Sequence, residues 1–481
     1  MSNENVSSRP IVETCLIKIA SLAVTTAISS TTFANIDLEN SSSIDDNKMS
    51  LAMDAESRYQ YLLSLPSIRN GAQCAYRAAQ DNTLTAFDFH PEKMDAMADF
   101  VCSVILQDYS ADQFSQIPPH GRWQHFETKD VPRLQTLLQE WKNGGVEDLE
   151  CCRRLVDLFL VSVLLDAGAG DTWKFQEAST GLSIERSEGL AVASLYAFKD
   201  GLFSTAIVGV DAQGLKNITV KSLGKAMQSS VENPLLGLDG RADLLQSLGN
   251  SLLRLPHLYG ETGRPGNIVD HVLKSKDASN KVDLKTLWDA LQQLLIPTWP
   301  SGRTQYNGKP LGDAWPLSLL QEQEDPSGVG IQPFHKLTQW LTYSLTVIFE
   351  RLLKVEWTGM EHLTGLPEYR NGGLYVDMGV LTLKPEVLQQ GTAASGSTVP
   401  IFDASDNVIV EWRALTVSLL DRTLQMVNDK MATSTKGTAR PLTLAQLLEA
   451  GTWKAGRQLA ARYRPESKGS PIGLRSDGTL F

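Results

Sequence analysis

The sequence reads as a mainly α-helical fold, α+β only through one small hairpin, built as a single large helical unit. Three observations carry this. Apolar residues recur at three- and four-residue spacing through most of the chain after about residue 54. One short stretch, 172–184, alternates like strands around a Ser179-Thr180-Gly181 turn. No internal repeat and no Gly/Pro-rich linker divides the chain, so the alternative arrangement is two lobes within one unit.

The elements follow in order. Residues 1–50 are rich in Ser, Thr, Asn and Asp, lack periodicity, and read as a disordered tail ahead of a domain at 51–481. Helical spacing then covers 58–79, 91–107, 132–142 and 148–165. The hairpin sits at 172–184, followed by helices at 187–198, 214–227, 242–253, 267–274 and 284–295. A loop is expected at 300–312. Residues 333–355 predict a strong helix, with Pro333 in a permitted first-turn position and an apolar stripe of Leu337, Trp340, Leu341, Leu345, Ile348 and Phe349. Residues 361–377 read as helix, tight turn, helix. A loop at 391–405 and helices at 411–431 and 444–463 finish the chain.

Composition bounds the function. With 481 residues, 42% hydrophobic and 21% charged, the chain can bury a large core without staples. A net charge of −11 argues against a nucleic-acid surface, which needs a basic footprint. The five cysteines include no CxxC pair, which points to reduced thiols in a reducing compartment rather than a disulfide scaffold or zinc site. Residues 15–35 are mildly apolar, but Glu4 and Glu13 precede them and Lys18 interrupts them, the opposite of a signal peptide. The apolar run at 155–165 is too short for a span of about 20 residues. A cytoplasmic, membrane-free protein is expected.

The standard nucleotide, serine hydrolase and zinc-protease motifs are absent. Five polar segments remain. Ile117–Phe126 packs His120, Arg122, Trp123 and His125 between prolines; it reads as an ordered loop more than as a site wall, and two histidines five apart do not share a helix face. Leu165–Lys174 carries Asp166, Asp171 and Trp173 among small residues that permit close backbone approach. Trp299–Gln305 and Leu311–Trp315 place Trp299, Arg303 and Asp313 in turns suited to stacking on a ring and gripping an anion. In 333–343, Lys336, Gln339 and Tyr343 share a helix face, with His335 four residues before Gln339. Glu368, Tyr369 and Arg370 open a helix after Pro367. No metal-ligand pattern and no cofactor motif is present, so neither is expected.

Taken together, SVLLDAGAGDTWKF, RSEGLAVASL, NPLLGLDGRADLL, WPSGR, LGDAW, PFHKLTQWLTYSL, LTGLPEYRNGGLYVDMGVL, VEWRALTVSLLD, LEAGTWKAGR and SDGTLF resemble the domain-of-unknown-function family 1688, the uracil catabolism protein 4 family. The strings cover nearly everything from about residue 60. The resemblance implies a role in a pathway that degrades uracil through a ribosylated urea. The DxW-hairpin-helix succession at 166–200 and LTxxxxYR at 363–370 are also remotely similar to the queuosine salvage N-glycosidases, whose fold is related to two-lobed helix-hairpin-helix DNA glycosylases. Their carboxylate aligns with Glu368, one methylene longer here.

These implications combine into one expectation: an N-glycoside hydrolase that releases urea from a small nucleoside-derived substrate, a ribosyl-urea or its 5′-phosphate. Glu368 is the first candidate to stabilise an oxocarbenium-like centre or activate water, with Asp171 and Asp166 next. Gln339 and Asp313 suit urea; Arg303, Lys336 and Arg370 suit a phosphate. Trp173, Trp299, Trp340, His335, Tyr343 and Tyr369 would line the cavity. The alternative is a non-catalytic partner or scaffold of the pathway, which would leave these groups scattered and expose an apolar patch instead. Deleting residues 1–50 is expected to leave the melting temperature and any activity nearly unchanged; a large loss of stability by calorimetry would show that the segment is structural.

Overall fold

The computed structural model describes residues 53–475, apart from 167, 171, 207, 323–326 and 438. The expected tail at 1–50 and the candidate Asp171 lie outside the described residues. The architecture is mainly α, as the periodicity predicts, and the strands form six two-stranded pairs among the described residues.

The first long helix, α1 (Leu65–Gln80), follows a short helix at Ala55–Leu62. The sequence reads these as one; Pro66, whose ring disfavours helical backbone just before it, separates them at Leu63-Ser64. Strand β1 (Phe87–Phe89), α2 (Met94–Asp108), the short α3 (Arg122–Phe126) and α4 (Asp148–Leu164) come next. The expected hairpin is β2 (Lys174–Glu177) against β3 (Leu182–Glu185), antiparallel, with Phe175 opposite Ile184. Helices α5 (Arg186–Lys199), α6 (Leu238–Leu253) and α7 (Leu284–Leu295) follow. The expected helix at 214–227 is instead two short ones, Ala212–Lys216 and Val220–Ala226, because Asp211 and Thr219 each cap a new start.

Strands β4 (Ala314–Pro316) and β5 (Ile331–Pro333) pair antiparallel and deliver the chain to α8 (Lys336–Leu353). Pro333 therefore ends a strand rather than opening a helix. After α9 (Tyr369–Asp377), β6 (Leu381–Leu383) pairs with β1, and α10 (Asn407–Ser434) and α11 (Trp453–Tyr463) close the fold. Helix α8 packs on α4 and α7, α10 on α1 and α2, and α9 on α11.

Both central helices are buried all round along much of their length: every residue from Leu337 to Phe349 in α8, and from Val408 to Leu420 in α10. The polar positions of α8 are therefore not a solvated stripe. Thr342 and Ser344 donate to Thr338 and Trp340 carbonyls at 2.8 and 2.7 Å, and Thr338 donates to Gln292 Oε1 at 3.1 Å, which removes the cost of burying them.

A buried helix start needs partners for its first N–H groups. His335, in the left-handed region at φ 45°, offers α8 no side-chain cap. Asp313 supplies the partners from another strand end. Its carbonyl accepts from Phe334 and His335 N–H at 2.9 and 3.0 Å. Its carboxylate accepts from Lys336 N–H at 2.9 Å, from Trp315 Nε1 at 2.8 Å, and from both Arg413 Nη1 and Nη2 at 2.8 Å. Burial alone would raise the Asp313 carboxyl, but Arg413, with Trp315 and the Lys336 N–H, holds it well below the usual carboxylate range. Asp313→Asn is expected to cost roughly 3–5 kcal/mol, since it leaves Arg413 buried without its counter-charge. Because the folded pKa is depressed, this stabilisation is complete above the unfolded value and fades as pH falls below about 4. Denaturant unfolding at pH 7 and pH 3 should show the gap between wild type and Asp313→Asn narrowing at the lower pH.

Candidate functional site

Two neighbouring cavities meet at the start of α9. The larger, ≈ 250 Å³, is lined among others by His120, His125, Asp166, Lys336, Trp340, Glu368 and Trp453. The smaller, ≈ 200 Å³ and mostly apolar, has Pro367, Ile409, Trp412 and Ile472 in its wall. Gly168, Glu368, Tyr369 and Ser470 belong to both, so Glu368 stands at the junction.

Glu368 is where it is because it caps α9. Its carboxylate accepts from Arg370 N–H at 2.7 Å and Asn371 N–H at 2.6 Å. Capping and facing the cavity are thus combined in one side chain. Burial pushes its carboxyl up, against the pull of those two N–H bonds and of Lys336. Lys336 sits in the first turn of α8, placed there by Asp313. Burial pushes its ammonium down, while Asp166 and then Glu368 pull it back up, which puts the lysine electrostatically between the two carboxylates.

Asp166 pairs with Arg122 Nη1 at 2.8 Å, and both are buried. Burial disfavours its charge, but Arg122, with Lys336 behind it, brings the Asp166 carboxyl below its ordinary range. Arg122 also donates from Nε and Nη2 to the hydroxyl and carbonyl of Ser162, both at 2.9 Å, which ties α3 to α4. Its Nη1 lies 3.2 Å from His125 Nδ1; a guanidinium only donates, so Nδ1 accepts and the ring is neutral. Burial and Arg122 push His125 down to about 4.

The far wall is aromatic. His120 packs on Trp340 with centroids 4.6 Å apart and planes tilted by 44°, and His125 lies 5.5 Å from Trp340 and 5.9 Å from Trp453. Trp340 Nε1 is buried with no hydrogen bond among the described residues. Trp453 is brought in by the approach of α11 to α9. A Cβ at Gly456 would lie 2.1 Å from the Arg370 carbonyl oxygen, so only glycine permits that contact.

The loops that line the cavity are held by arginines bonded to carbonyls. Arg241 donates to Leu165 O at 3.0 Å, Gly168 O at 3.1 Å and also Leu236 O. Arg370 and Arg186 donate to Lys468 O at 2.8 Å and Ser467 O at 3.0 Å, and Arg464 to Gly469 O at 2.9 Å. Segment 467–470 is thereby fixed over the cavity.

Of the candidates named from sequence, Asp166, Lys336, Trp340, Glu368 and Tyr369 share the cavity. The other candidates among the described residues do not line it. Trp173 is core, its Nε1 donating to Met227 O at 2.9 Å. Arg303 stacks on Trp299 at 4.4 Å in a separate cluster with Trp315. Asp313 is spent on α8 and Arg413. His335 Nε2 lies 2.8 Å from Leu62 O. Gln339 bonds Thr364 on both sides, at 2.9 Å to its hydroxyl and 2.8 Å from its N–H, and Tyr343 donates to Thr364 O at 3.1 Å. Arg370 holds the 467–470 segment. Sequence reasoning assigned no site role to His120, His125, Arg122, Ser187, Glu449 and Trp453. The unusual density of His, Arg and Trp at 120–125 is the available signal, but along the sequence it is equally that of an ordered loop. Among the described residues no cluster of three His, Cys, Asp or Glu is placed to hold a metal ion, and no helix is long and apolar enough to cross a membrane.

The family model described as "Protein of unknown function (DUF1688)" matches residues 61–481. Protein urg3 of Schizosaccharomyces pombe is 48% identical over 423 residues, covering 87% of this chain and 98% of that protein. Uracil catabolism protein 4 of Lachancea kluyveri is 42% identical over 447 residues, covering 89% of this chain and all of that protein. Arg122→Met is expected to destabilise the fold by roughly 3–5 kcal/mol by stranding Asp166, and adding Asp166→Asn should recover part of the loss. Denaturant titration of the single and double variants checks this; no recovery would mean that Asp166 is not the group left stranded.

Proposed function

The chain belongs to the DUF1688 family, and from that premise we propose that it acts in uracil catabolism as an N-glycoside hydrolase that releases urea from a ribosyl-urea compound. The uracil role comes from the name carried by the Lachancea kluyveri relative. The observation that carries the hydrolase reading is that two carboxylates, Glu368 and Asp166, line one aromatic-walled cavity with Lys336, whose ammonium feels both.

The chemistry fits that arrangement. The glycosidic C–N bond breaks with its electron pair going to the urea nitrogen, which takes up a proton. The sugar carbon gains oxocarbenium character, and water adds there. A carboxylate next to that carbon lowers the barrier because the positive charge exists only in the transition state. Glu368 is suited to this: two backbone N–H groups hold its orientation, and Lys336 and burial tune its charge. Asp166, already paired with Arg122, serves better to orient Lys336 and polar groups of the substrate. Rings of His120, Trp340 and Trp453 give one side of the cavity a low-polarity wall, beside which charge interactions are stronger than in open water. At ≈ 250 Å³ the cavity is matched to a small polar molecule rather than a large one.

Incubation with ribosyl-urea, with urea measured by a urease-coupled assay, is expected to show protein-dependent urea release. No release above the uncatalysed rate would overturn the reading in favour of a non-catalytic pathway partner. Glu368→Gln should lower turnover by about 100-fold or more with KM changed only a few-fold. It should also cost about 1 kcal/mol of stability as a weakened cap. Full turnover in that variant would remove Glu368 from the chemistry and shift the role to another carboxylate.

A further inference from the structure

We propose that His120, oriented by Glu449, is the group that hands a proton to the departing nitrogen in this cavity; the role rests on the glycoside-hydrolase reading. Four observations carry it. His120 is buried in the wall of the larger cavity. Its Nδ1 lies 2.6 Å from Glu449 Oε2. A carboxylate only accepts, so the proton sits on Nδ1 and Nε2 is left to exchange one. Nε2 makes no hydrogen bond among the described residues and is not among the buried polar atoms left without a partner, so it keeps access to the cavity.

The backbone fixes this geometry. His120 N–H donates to Ala445 O at 2.9 Å, one turn before Glu449. Glu449 lies in a π-helical turn, Leu448–Thr452, inside an otherwise α-helical stretch. Such turns concentrate at functional sites because they turn a side chain away from where an α-helix would aim it. Trp340 packs against the ring at 4.6 Å in a tilted contact and restrains its rotation.

The neighbouring groups are less suited. His125 accepts from Arg122 through Nδ1, and the cation beside it disfavours a second positive charge. Asp166 is tied to the same arginine. Lys336 faces two carboxylates. Among the described residues of the cavity wall, His120 alone joins a carboxylate on one nitrogen to an uncommitted nitrogen on the other.

The step balances. The protonated ring gives its Nε2 proton to the urea nitrogen as the C–N bond breaks and the bonding pair moves onto that nitrogen. The ring is then neutral, with its proton on Nδ1 held by Glu449. Water adds to the sugar carbon and returns a proton to Nε2, which regenerates the starting state with urea and the free sugar as products.

The test measures urea release from ribosyl-urea by wild type, His120→Asn, Glu449→Gln and Glu449→Asp, together with thermal unfolding of each. In parallel, long-range proton–nitrogen NMR of histidine-labelled protein reads the tautomer of His120. His120→Asn is expected to lower kcat by about 100- to 1000-fold with KM within a few-fold. Glu449→Gln should lower kcat by about 10-fold or more, acting only through the ring, and Glu449→Asp should restore much of it. NMR should show Nδ1 protonation in wild type and its loss in Glu449→Gln. If His120→Asn does not fold, the Glu449 pair still decides. Wild-type turnover in His120→Asn, or in Glu449→Gln with an altered tautomer, overturns this role and leaves the hydrolase reading standing. No urea release by the wild type overturns the hydrolase reading and this role with it.

Discussion

The placement of the cavity depends on how one buried helix start is satisfied. Helix α8 begins inside the protein, where water cannot serve its first N–H groups. Asp313 serves them with its carbonyl and its carboxylate, and Arg413 makes that carboxylate tolerable in the interior. This couples β4, α8 and α10 at a single point. Lys336 then falls in the first turn and Trp340 one turn later, so both reach the same cavity. The LGDAW and WRALT strings, nearly a hundred residues apart, are two halves of one contact.

A second constraint concerns irregular backbone. The loops around the cavity, 165–170 and 467–470, carry carbonyls that helices and strands do not absorb. Arginine offers five donors in a rigid fork, and Arg241, Arg186, Arg370 and Arg464 spend donors on such oxygens. Of the three cations the sequence suggests for an anion, Arg370 is occupied with holding the chain and Arg303 packs on Trp299, which leaves Lys336 in the cavity wall. Besides Arg186, the charge lining the cavity among the described residues is one lysine and two carboxylates, a mixed-charge site rather than a basic pocket.

Much of the fold was legible because local periodicity decides it. Helix α7 runs from Leu284 to Leu295, the span its spacing predicts, and the β2–β3 hairpin closes at the predicted turn. The failures are tertiary. Pro333 looks like a helix opener until β4 is there to pair with it. Gln339 and Tyr343 look like binding groups until Thr364 is seen to use them. The candidate site was legible in part: Glu368, Asp166 and Lys336 carry unusual chemistry at element ends. His120 was not, because its meaning comes from Glu449, more than three hundred residues on. A rule based on spacing along the chain has no access to that pairing.

The π turn at 448–452 has a consequence for how this chain can vary in length. An α-helix advances about 100° per residue, and the wide turn holds Trp453 and the remainder of α11 at the rotation the cavity uses. Removing one residue there would give a smoother, intrinsically more regular helix. It would also swing Trp453 off the aromatic wall and drive a side chain into the gap that Gly456 keeps open against Arg370. Local regularity and the shape of the site are thus in direct opposition over this turn. The segment can exchange side chains far more readily than it can lose or gain a residue.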